Sequence, residues 1–169
     1  MPWSLKSLSK EGVAEAIAKA ERYRFLNEPG EAESICRDVL AVEPENQMAL
    51  RLLGLAITDR FSGGGSDRFP EAESVFARLA DPYERLYYAG ILNERRAKAQ
   101  LKAGHRPHTV TALFEEAMRC FEEAEKIRPA NNDDTILRWN RCVRILQSRD
   151  PSDWQNELES FEASDSPPV

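Results

Sequence analysis

Apolar and small side chains recur from Val13 onward at the three- and four-residue spacing of amphipathic helices. This spacing predicts a first helix over about residues 10–27, with Ser9 as its N-cap. Pro29-Gly30 is predicted to form the turn before a second helix, which Glu43-Pro44-Glu45-Asn46 closes. The order along this part of the chain is therefore helix, tight turn, helix, turn.

The same order starts again at Asn46, which is predicted to cap the first helix of a second pair. Gly63-Gly64-Gly65 lies between the two helices of that pair and is predicted to be a flexible linker, because successive glycines do not favour a helix. No segment alternates apolar and polar residues for long enough to predict a strand, so the predicted fold class is all-α. The further helices are predicted over about residues 70–80, 83–102, 109–127 and 133–148.

The net charge of −6 is concentrated at one end of the chain. Residues 150–169 contain six acidic side chains and no Lys or Arg, which leaves 23 acidic and 23 basic residues in positions 1–149. A balanced body gives no general attraction to nucleic acid or to an anionic membrane. Neither is therefore expected as a partner.

The sequence also carries signals about where the protein works. No stretch approaches the roughly 20 consecutive apolar residues that span a bilayer. The first residues lack an apolar run of signal-peptide length. The three cysteines are an odd number and lie far apart, which favours reduced thiols and a cytoplasmic location.

Small and large residues recur at fixed offsets in three successive units of the chain. In the first unit they are Ala16, Ala20, Tyr23, Ala32, Cys36, Val39 and Pro44. In the second, which has six inserted residues, they are Leu50, Leu53, Gly54, Ile57, Ala72, Phe76 and Leu79. In the third, which has fifteen, they are Leu86, Ala89, Gly90, Ala117, Phe121, Ala124 and Pro129. This pattern resembles the tetratricopeptide repeat, a helix–turn–helix unit of about 34 residues.

The resemblance implies a right-handed superhelix of about three stacked helix–turn–helix hairpins plus a C-terminal capping helix. Small residues would let the two helices of a hairpin approach closely, while Tyr23, Phe76 and Phe121 would fill the space between neighbouring hairpins. The implied domain covers residues 1–148, and an acidic tail covers 149–169. Within the domain, the repeats are about 13–46, 47–82 and 83–131, and the capping helix is 132–148.

Proteins of this family act mainly as scaffolds that bind a peptide or a partner helix in the concave groove formed by the first helix of each hairpin. The resemblance implies the same function here: a protein–protein interaction scaffold or adaptor without catalysis. The implied groove positions are Ile17, Glu21, Arg24, Met48, Arg51, Leu55, Thr58, Glu84, Tyr87, Ile91, Glu94, Ile136 and Asn140.

One ligand class of the family is excluded. Some members hold the C-terminal carboxylate of a chaperone with a clamp of Lys, Asn and Arg side chains. In this chain Ile17 and Glu21 stand at the first clamp positions, and Glu84 stands at a later lysine position. Acidic side chains there would repel a carboxylate.

Neither a catalytic site nor a cofactor is predicted. His105 and His108 share one loop without the further ligands that a metal site needs, and they are predicted to lie in a solvated turn. The cysteines Cys36, Cys120 and Cys142 are expected to be buried as small hydrophobic side chains. The three glycines are not followed by Lys-Ser or Lys-Thr, so they are not a phosphate-binding loop.

Two polar segments of the last predicted helix keep two interpretations each. Arg138, Arg141 and Arg144 recur every third residue, as a nucleic-acid or acidic-partner stripe would. Alternatively they lie on a solvated face and pair with acidic residues of the adjacent helix. Residues 131–140 are either a partner contact or a buried hydrogen-bond latch. The adjacent acidic residues are Glu115, Glu116, Glu122, Glu123 and Glu125.

In the acidic tail, Trp154, Leu158 and Phe161 form one apolar edge of a possible short helix over residues 152–161. Three interpretations of the tail are open: it docks on the chain's own basic face, it serves as a ligand of another protein, or it is disordered. The expected function is a cytoplasmic scaffold, monomeric or weakly homo-oligomeric, for an unidentified protein or peptide. The alternatives are a structural subunit that self-associates and, third, a nucleic-acid-associated factor.

Overall fold

The computed structural model describes residues 2–148, apart from the side chains of Pro107 and His108. This part of the chain is all-α, as the periodicity predicts, and it contains no strand. The tail beyond residue 148, with its possible short helix, lies outside the described residues. The helices are α1 (Val13–Phe25), α2 (Pro29–Val42), α3 (Gln47–Thr58), α4 (Phe69–Ala77), α5 (Pro82–Lys102), α6 (Pro107–Glu125) and α7 (Asp134–Gln147).

Side-chain caps begin several of these helices, and two of them were predicted. Ser9 Oγ accepts a hydrogen bond from the backbone N–H of Gly12 at 3.2 Å, which starts the 3-10 turn before α1. Asn46 Oδ1 accepts from the N–H of Ala49 at 2.9 Å and caps α3. Each cap satisfies a backbone donor that has no partner inside its helix.

The predicted turn at Pro29-Gly30 is wrong. These two residues form the first turn of α2, and the chain reverses just before them. There Asn27 adopts a φ of +57°, and the N–H of Glu28 donates to the carbonyl of Tyr23 at 2.8 Å. This is the left-handed closure of a helix C-terminus, which asparagine tolerates. Proline fits the following position because its fixed φ suits the start of a helix.

The predicted linker at Gly63-Gly64-Gly65 begins with a turn around one carboxylate. Asp67 accepts hydrogen bonds from the N–H of Ser62 at 2.9 Å and from the N–H of Gly63 at 2.8 Å. Gly63 is buried with a φ of +80°, and a Cβ on it would lie 2.5 Å from the carbonyl oxygen of Ala99. A glycine is therefore required by both the conformation and the close approach.

The described chain divides into two compact units. The N-terminal unit comprises the chain up to Arg60 together with Pro70–Leu79, and in it α1, α2 and α3 pack on one another. Val13, Val39 and Ala49 form a buried cluster that joins these three helices. Gly54 of α3 also lies against the ring of Phe76, on α4. A Cβ added to this glycine would lie 2.2 Å from Cε1 of the ring.

The C-terminal unit comprises Phe61–Phe69 and the chain from Ala80 onward. In it α5 packs on α6, and α6 packs on α7. Gly90 of α5 faces Phe121 of α6, and a Cβ on this glycine would lie 2.4 Å from Cε1 of the ring. The guanidinium of Arg96, on α5, lies 4.4 Å from the centre of the Phe69 ring in a cation–π contact.

Both units therefore contain a phenylalanine ring placed directly on a helix backbone. The sequence-based expectation assigned Phe76 and Phe121 to the space between neighbouring hairpins. In the structure each ring lies against the glycine of its own helix pair. The missing side chain of Gly54 or Gly90 leaves the room that the aromatic ring fills.

Candidate functional site

The helices α1 and α3 of the N-terminal unit lie side by side and run in the same direction. At their beginnings, Val13 and Ala49 share one buried cluster. At their ends, the guanidinium of Arg24 binds the carboxylate of Asp59 through two hydrogen bonds, Nε–Oδ2 at 2.7 Å and Nη2–Oδ1 at 3.1 Å. The Arg24 side chain is 6% exposed and the Asp59 side chain 21%, and this two-point pair fixes the two helix ends.

Four predicted groove residues of these helices keep accessible surface. Ile17 and Glu21 are half-buried and, being four residues apart, share one face of α1. Met48 is 40% exposed near the start of α3. Arg51 is half-buried and its Nε donates to the carbonyl of Gln47 at 3.2 Å. We call this set, Ile17, Glu21, Met48 and Arg51, the α1–α3 face.

Other predicted groove residues of this unit serve its own structure. Leu55 is buried with 4% exposure. Thr58 is buried, and its hydroxyl donates to the carbonyl of Leu55 at 2.8 Å. Arg24 is occupied by its pair with Asp59. These side chains therefore build the α1–α3 pair rather than offer surface to a ligand.

In the C-terminal unit, the predicted groove residues of α5 are mostly covered. Tyr87 and Ile91 are buried, and Glu94 has no exposed surface at all. Glu84 is half-buried, as is Ile136, while Asn140 is exposed on α7. A ligand that approached this unit would meet Asn140 but not the three buried side chains of α5. The expectation that those three line an open surface therefore does not match their burial.

The buried carboxylate of Glu94 lies between two cations. Lys98 Nζ, one turn further along α5, is 2.7 Å from Oε1. Arg138 Nη1, from α7, is 3.6 Å from Oε2. Both cationic side chains are 15% exposed. Charges this deeply buried are stable only when paired.

This pairing gives one of the α7 arginines an acidic partner outside the adjacent helix. Arg138 pairs with Glu94 of α5. Two glutamates of α6 pair with cations three residues further along the chain. Glu116 binds Arg119, and Glu123 binds Lys126. Sequence reasoning missed the Glu94 cluster, although the four-residue spacing of Glu94 and Lys98 was a local signal for a pair.

In the segment 131–140, Asn132 makes hydrogen bonds around the start of α7. Asn132 Oδ1 accepts a hydrogen bond from the N–H of Asp134 at 2.9 Å, which closes the start of α7. It also faces the hydroxyl of Tyr83 at 3.4 Å. Burial raises the pKa of Tyr83, and the charge of Asp134 raises it further, so the hydroxyl stays protonated and donates this bond.

The thiols are buried, as expected. Cys36, Cys120 and Cys142 are free cysteines. Burial raises the pKa of Cys36 to about 12, and it raises the pKa of Cys120 and Cys142 as well. A protonated, buried thiol is a poor nucleophile. None of the three is therefore a reactive residue in this fold.

Residues 2–148 contain neither a cluster of metal-binding side chains nor a membrane-spanning helix. Within them, no group of three or more His, Cys, Asp or Glu side chains is arranged to hold a metal ion. None of their helices combines the length and the apolar character needed to cross a membrane. Comparison of the chain with protein-family models, with curated proteins and with solved structures finds no match.

Proposed function

We propose that this chain is a cytoplasmic adaptor of the tetratricopeptide type, which binds a peptide or a helix of another protein on the α1–α3 face. The observation that carries the proposal is the parallel pairing of α1 and α3, fixed by Arg24 and Asp59. In a repeat of helical hairpins, these are the first helices of two successive hairpins. Side by side, they form the strip on which such repeats bind their ligands.

The recurrence of one packing relationship supports a repeat. Gly54 and Phe76 are 22 residues apart, and Gly90 and Phe121 are 31 residues apart, yet each pair makes the same glycine-to-ring contact. The difference matches the insertions of six and fifteen residues in the second and third units. The three-repeat division and the right-handed superhelix belong to this proposal.

The chemistry of the α1–α3 face fits an amphipathic peptide. Met48 offers an exposed thioether that adapts to apolar side chains of different shapes. Ile17 adds a partly exposed aliphatic surface on α1. Glu21 and Arg51 supply one charge of each sign, which would fix the direction of a bound peptide. The free, buried cysteines are consistent with the proposed cytoplasmic location.

The test is a selection of displayed random peptides against the immobilised chain, followed by calorimetry on the selected sequences. Met48→Glu should weaken their binding at least tenfold, because it places a charge in the apolar part of the face. Ala41→Glu, at an exposed position of α2, is the matched control and should leave binding unchanged. The α1–α3 face would be excluded as the site if the selected peptides bound the Met48→Glu variant as tightly as the unaltered chain. It would also be excluded if Met48→Glu and Ala41→Glu weakened binding equally.

Light scattering separates this function from self-association. An adaptor is expected to remain a monomer over a wide concentration range. A mass that rises with concentration, together with failure to select any peptide, would favour the structural subunit instead.

A further inference from the structure

The segment before α1 presents two large apolar side chains to solvent. Residues 2–9 form neither helix nor strand, and among them Trp3 is 82% exposed and Leu5 is 93% exposed. Because they are two positions apart, Trp3 and Leu5 lie on the same side of this segment when it is extended. The adaptor function described above leaves both side chains without a role. We call residues 2–8 the arm.

The arm is attached at the cluster around which the apolar part of the α1–α3 face is built. Its last residue, Leu8, is half-buried and packs against the buried cluster that joins α1, α2 and α3. Ile17 of the face packs against the same cluster. Met48, the other apolar residue of the face, directly precedes Ala49, which is a member of that cluster. The attachment point of the arm and the apolar residues of the face therefore adjoin one cluster.

The arm is long enough to lie along the face. An extended chain covers about 3.3 Å per residue, so Leu5 reaches up to about 10 Å from Leu8, and Trp3 up to about 17 Å. Leu8 packs against the cluster that contains Val13, and Ile17 lies four residues, or about 6 Å, further along α1 than Val13. Both apolar side chains of the arm can therefore reach the face without any change in the helices.

The attraction between the arm and the face is apolar. Ile17 and Met48 offer aliphatic and thioether surface, and moving an indole and a leucine side chain from water onto such surface is favourable. The arm has one charged residue, Lys6, and the face carries one charge of each sign, so charge neither drives nor prevents the contact. The tether holds the arm at an effective concentration in the millimolar range. A contact too weak to form between separate molecules is therefore populated within one chain.

We propose that the arm binds the α1–α3 face of its own chain and covers Ile17 and Met48 with Trp3 and Leu5. Because it concerns the same face, this interaction rests on the proposed function. In the described structure both arm side chains are open to solvent, so the structure represents the arrangement in which the face is free, and the bound arm is the second arrangement of an equilibrium.

The bound arm has two consequences for a partner peptide. The peptide has to displace the arm, so its apparent affinity is reduced in proportion to the fraction of chains in which the face is free. The arm also defines the chemical class of the competing ligand. That ligand is an extended segment with an aromatic and an aliphatic side chain two positions apart.

The test labels the full chain with 5-fluorotryptophan and uses fluorine NMR, with Trp3→Phe assigning the resonance of interest among the three tryptophans. The Trp3 resonance is expected to differ from that of an isolated peptide of residues 1–8, and Met48→Glu should move it to the peptide position. Leu5→Ser should move it to the position of a peptide with the same change, without altering any residue of the helices. Ala41→Glu, at an exposed position of α2, is the matched control and should leave the resonance in place.

Three results would overturn the proposal. The first is a Trp3 resonance at the peptide position in the unaltered chain. The second is an equal response of this resonance to Met48→Glu and to Ala41→Glu. The third is a resonance that moves to the peptide position when the chain is diluted, because the arm would then occupy a second copy.

Affinity measurements separate this proposal from the adaptor function. The double variant Trp3→Ser/Leu5→Ser should bind the selected peptides about threefold more tightly, or better, because the arm no longer occupies the face. If peptides bind the double variant and the unaltered chain equally well, the adaptor function stands and the arm proposal fails. If no peptide is selected even on the double variant, while Met48→Glu still moves the Trp3 resonance, the arm proposal stands and the adaptor function fails.

Discussion

The ring of Phe121 lies against the bare backbone of Gly90, so close that a Cβ at this glycine would come within 2.4 Å of Cε1. Real side-chain carbons do not approach so closely, and the phenylalanine is itself fully buried. The contact therefore sets the spacing between α5 and α6. A methyl group at this point would act as a wedge between the two helices.

Gly90→Ala is accordingly expected to lower the free energy of unfolding by about 1–3 kcal/mol, the usual cost of overpacking. The control is Gly30→Ala in the first turn of α2, where nothing lies within 4 Å of an added Cβ. There the change should be neutral or stabilising by up to about 1 kcal/mol. Urea unfolding measures both. If both substitutions changed the free energy of unfolding equally, the contact between Phe121 and Gly90 would not set the spacing between α5 and α6.

Gly63→Ala is expected to destabilise the chain more than Gly104→Ala. Both glycines have a positive φ, +80° and +84°, so alanine is strained by about 1–2 kcal/mol at either position. Only at Gly63 would the new Cβ also meet backbone, the carbonyl of Ala99 at 2.5 Å, while Gly104 faces open space. Thermal unfolding of the two variants isolates this second effect. Identical melting temperatures would mean that the turn at Gly63 accommodates the new Cβ without a loss of stability.

Glu94→Gln should lower the free energy of unfolding by about 3 kcal/mol. The substitution leaves Arg138 and Lys98, both largely buried, without their shared counter-charge. Glu116→Gln, which removes a more exposed partner of Arg119 on α6, should cost less than about 1 kcal/mol. Denaturant titrations of both variants make the comparison. If the Glu94 variant were as stable as the Glu116 variant, water or a local rearrangement would be stabilising the charges of Arg138 and Lys98 in place of the carboxylate.

The stability of the chain should fall as the pH rises above about 9. Burial raises the pKa of Cys36 from 9.0 to about 12, so between these values the folded chain holds a proton that the unfolded chain has lost. The contribution of this thiol is fully present below pH 9 and is lost at up to about 1.4 kcal/mol per pH unit above it. Urea unfolding at pH 8 and pH 10 measures the slope. Cys36→Ala should reduce it, and an unchanged slope would exclude Cys36 as a source.

Much of the fold could be predicted because its signals are local. The caps at Ser9 and Asn46 and the helical periodicity of the apolar residues depend on neighbours within a few positions. The turn before α2 was misplaced because Pro29 is compatible with either a turn or a helix start. The turn lies at Asn27, whose left-handed backbone conformation ends α1, so Pro29 starts the next helix.

The candidate site was harder to predict because burial depends on residues distant in the chain. The resemblance names both Met48 and Glu94 as groove positions, yet Met48 is exposed and Glu94 is fully buried. The difference arises from Arg138, a side chain 44 positions later that reaches Glu94 from α7. No spacing within α5 contains that information.

The buried triad of Glu94, Lys98 and Arg138 also constrains how this sequence can change. A substitution at any one of these positions leaves a buried charge without its counter-charge. Exchanging all three for apolar residues of similar volume costs little stability. Laboratory evolution of the chain should therefore pass through coordinated substitutions at these positions. For protein engineers, the three codons form one unit of diversification.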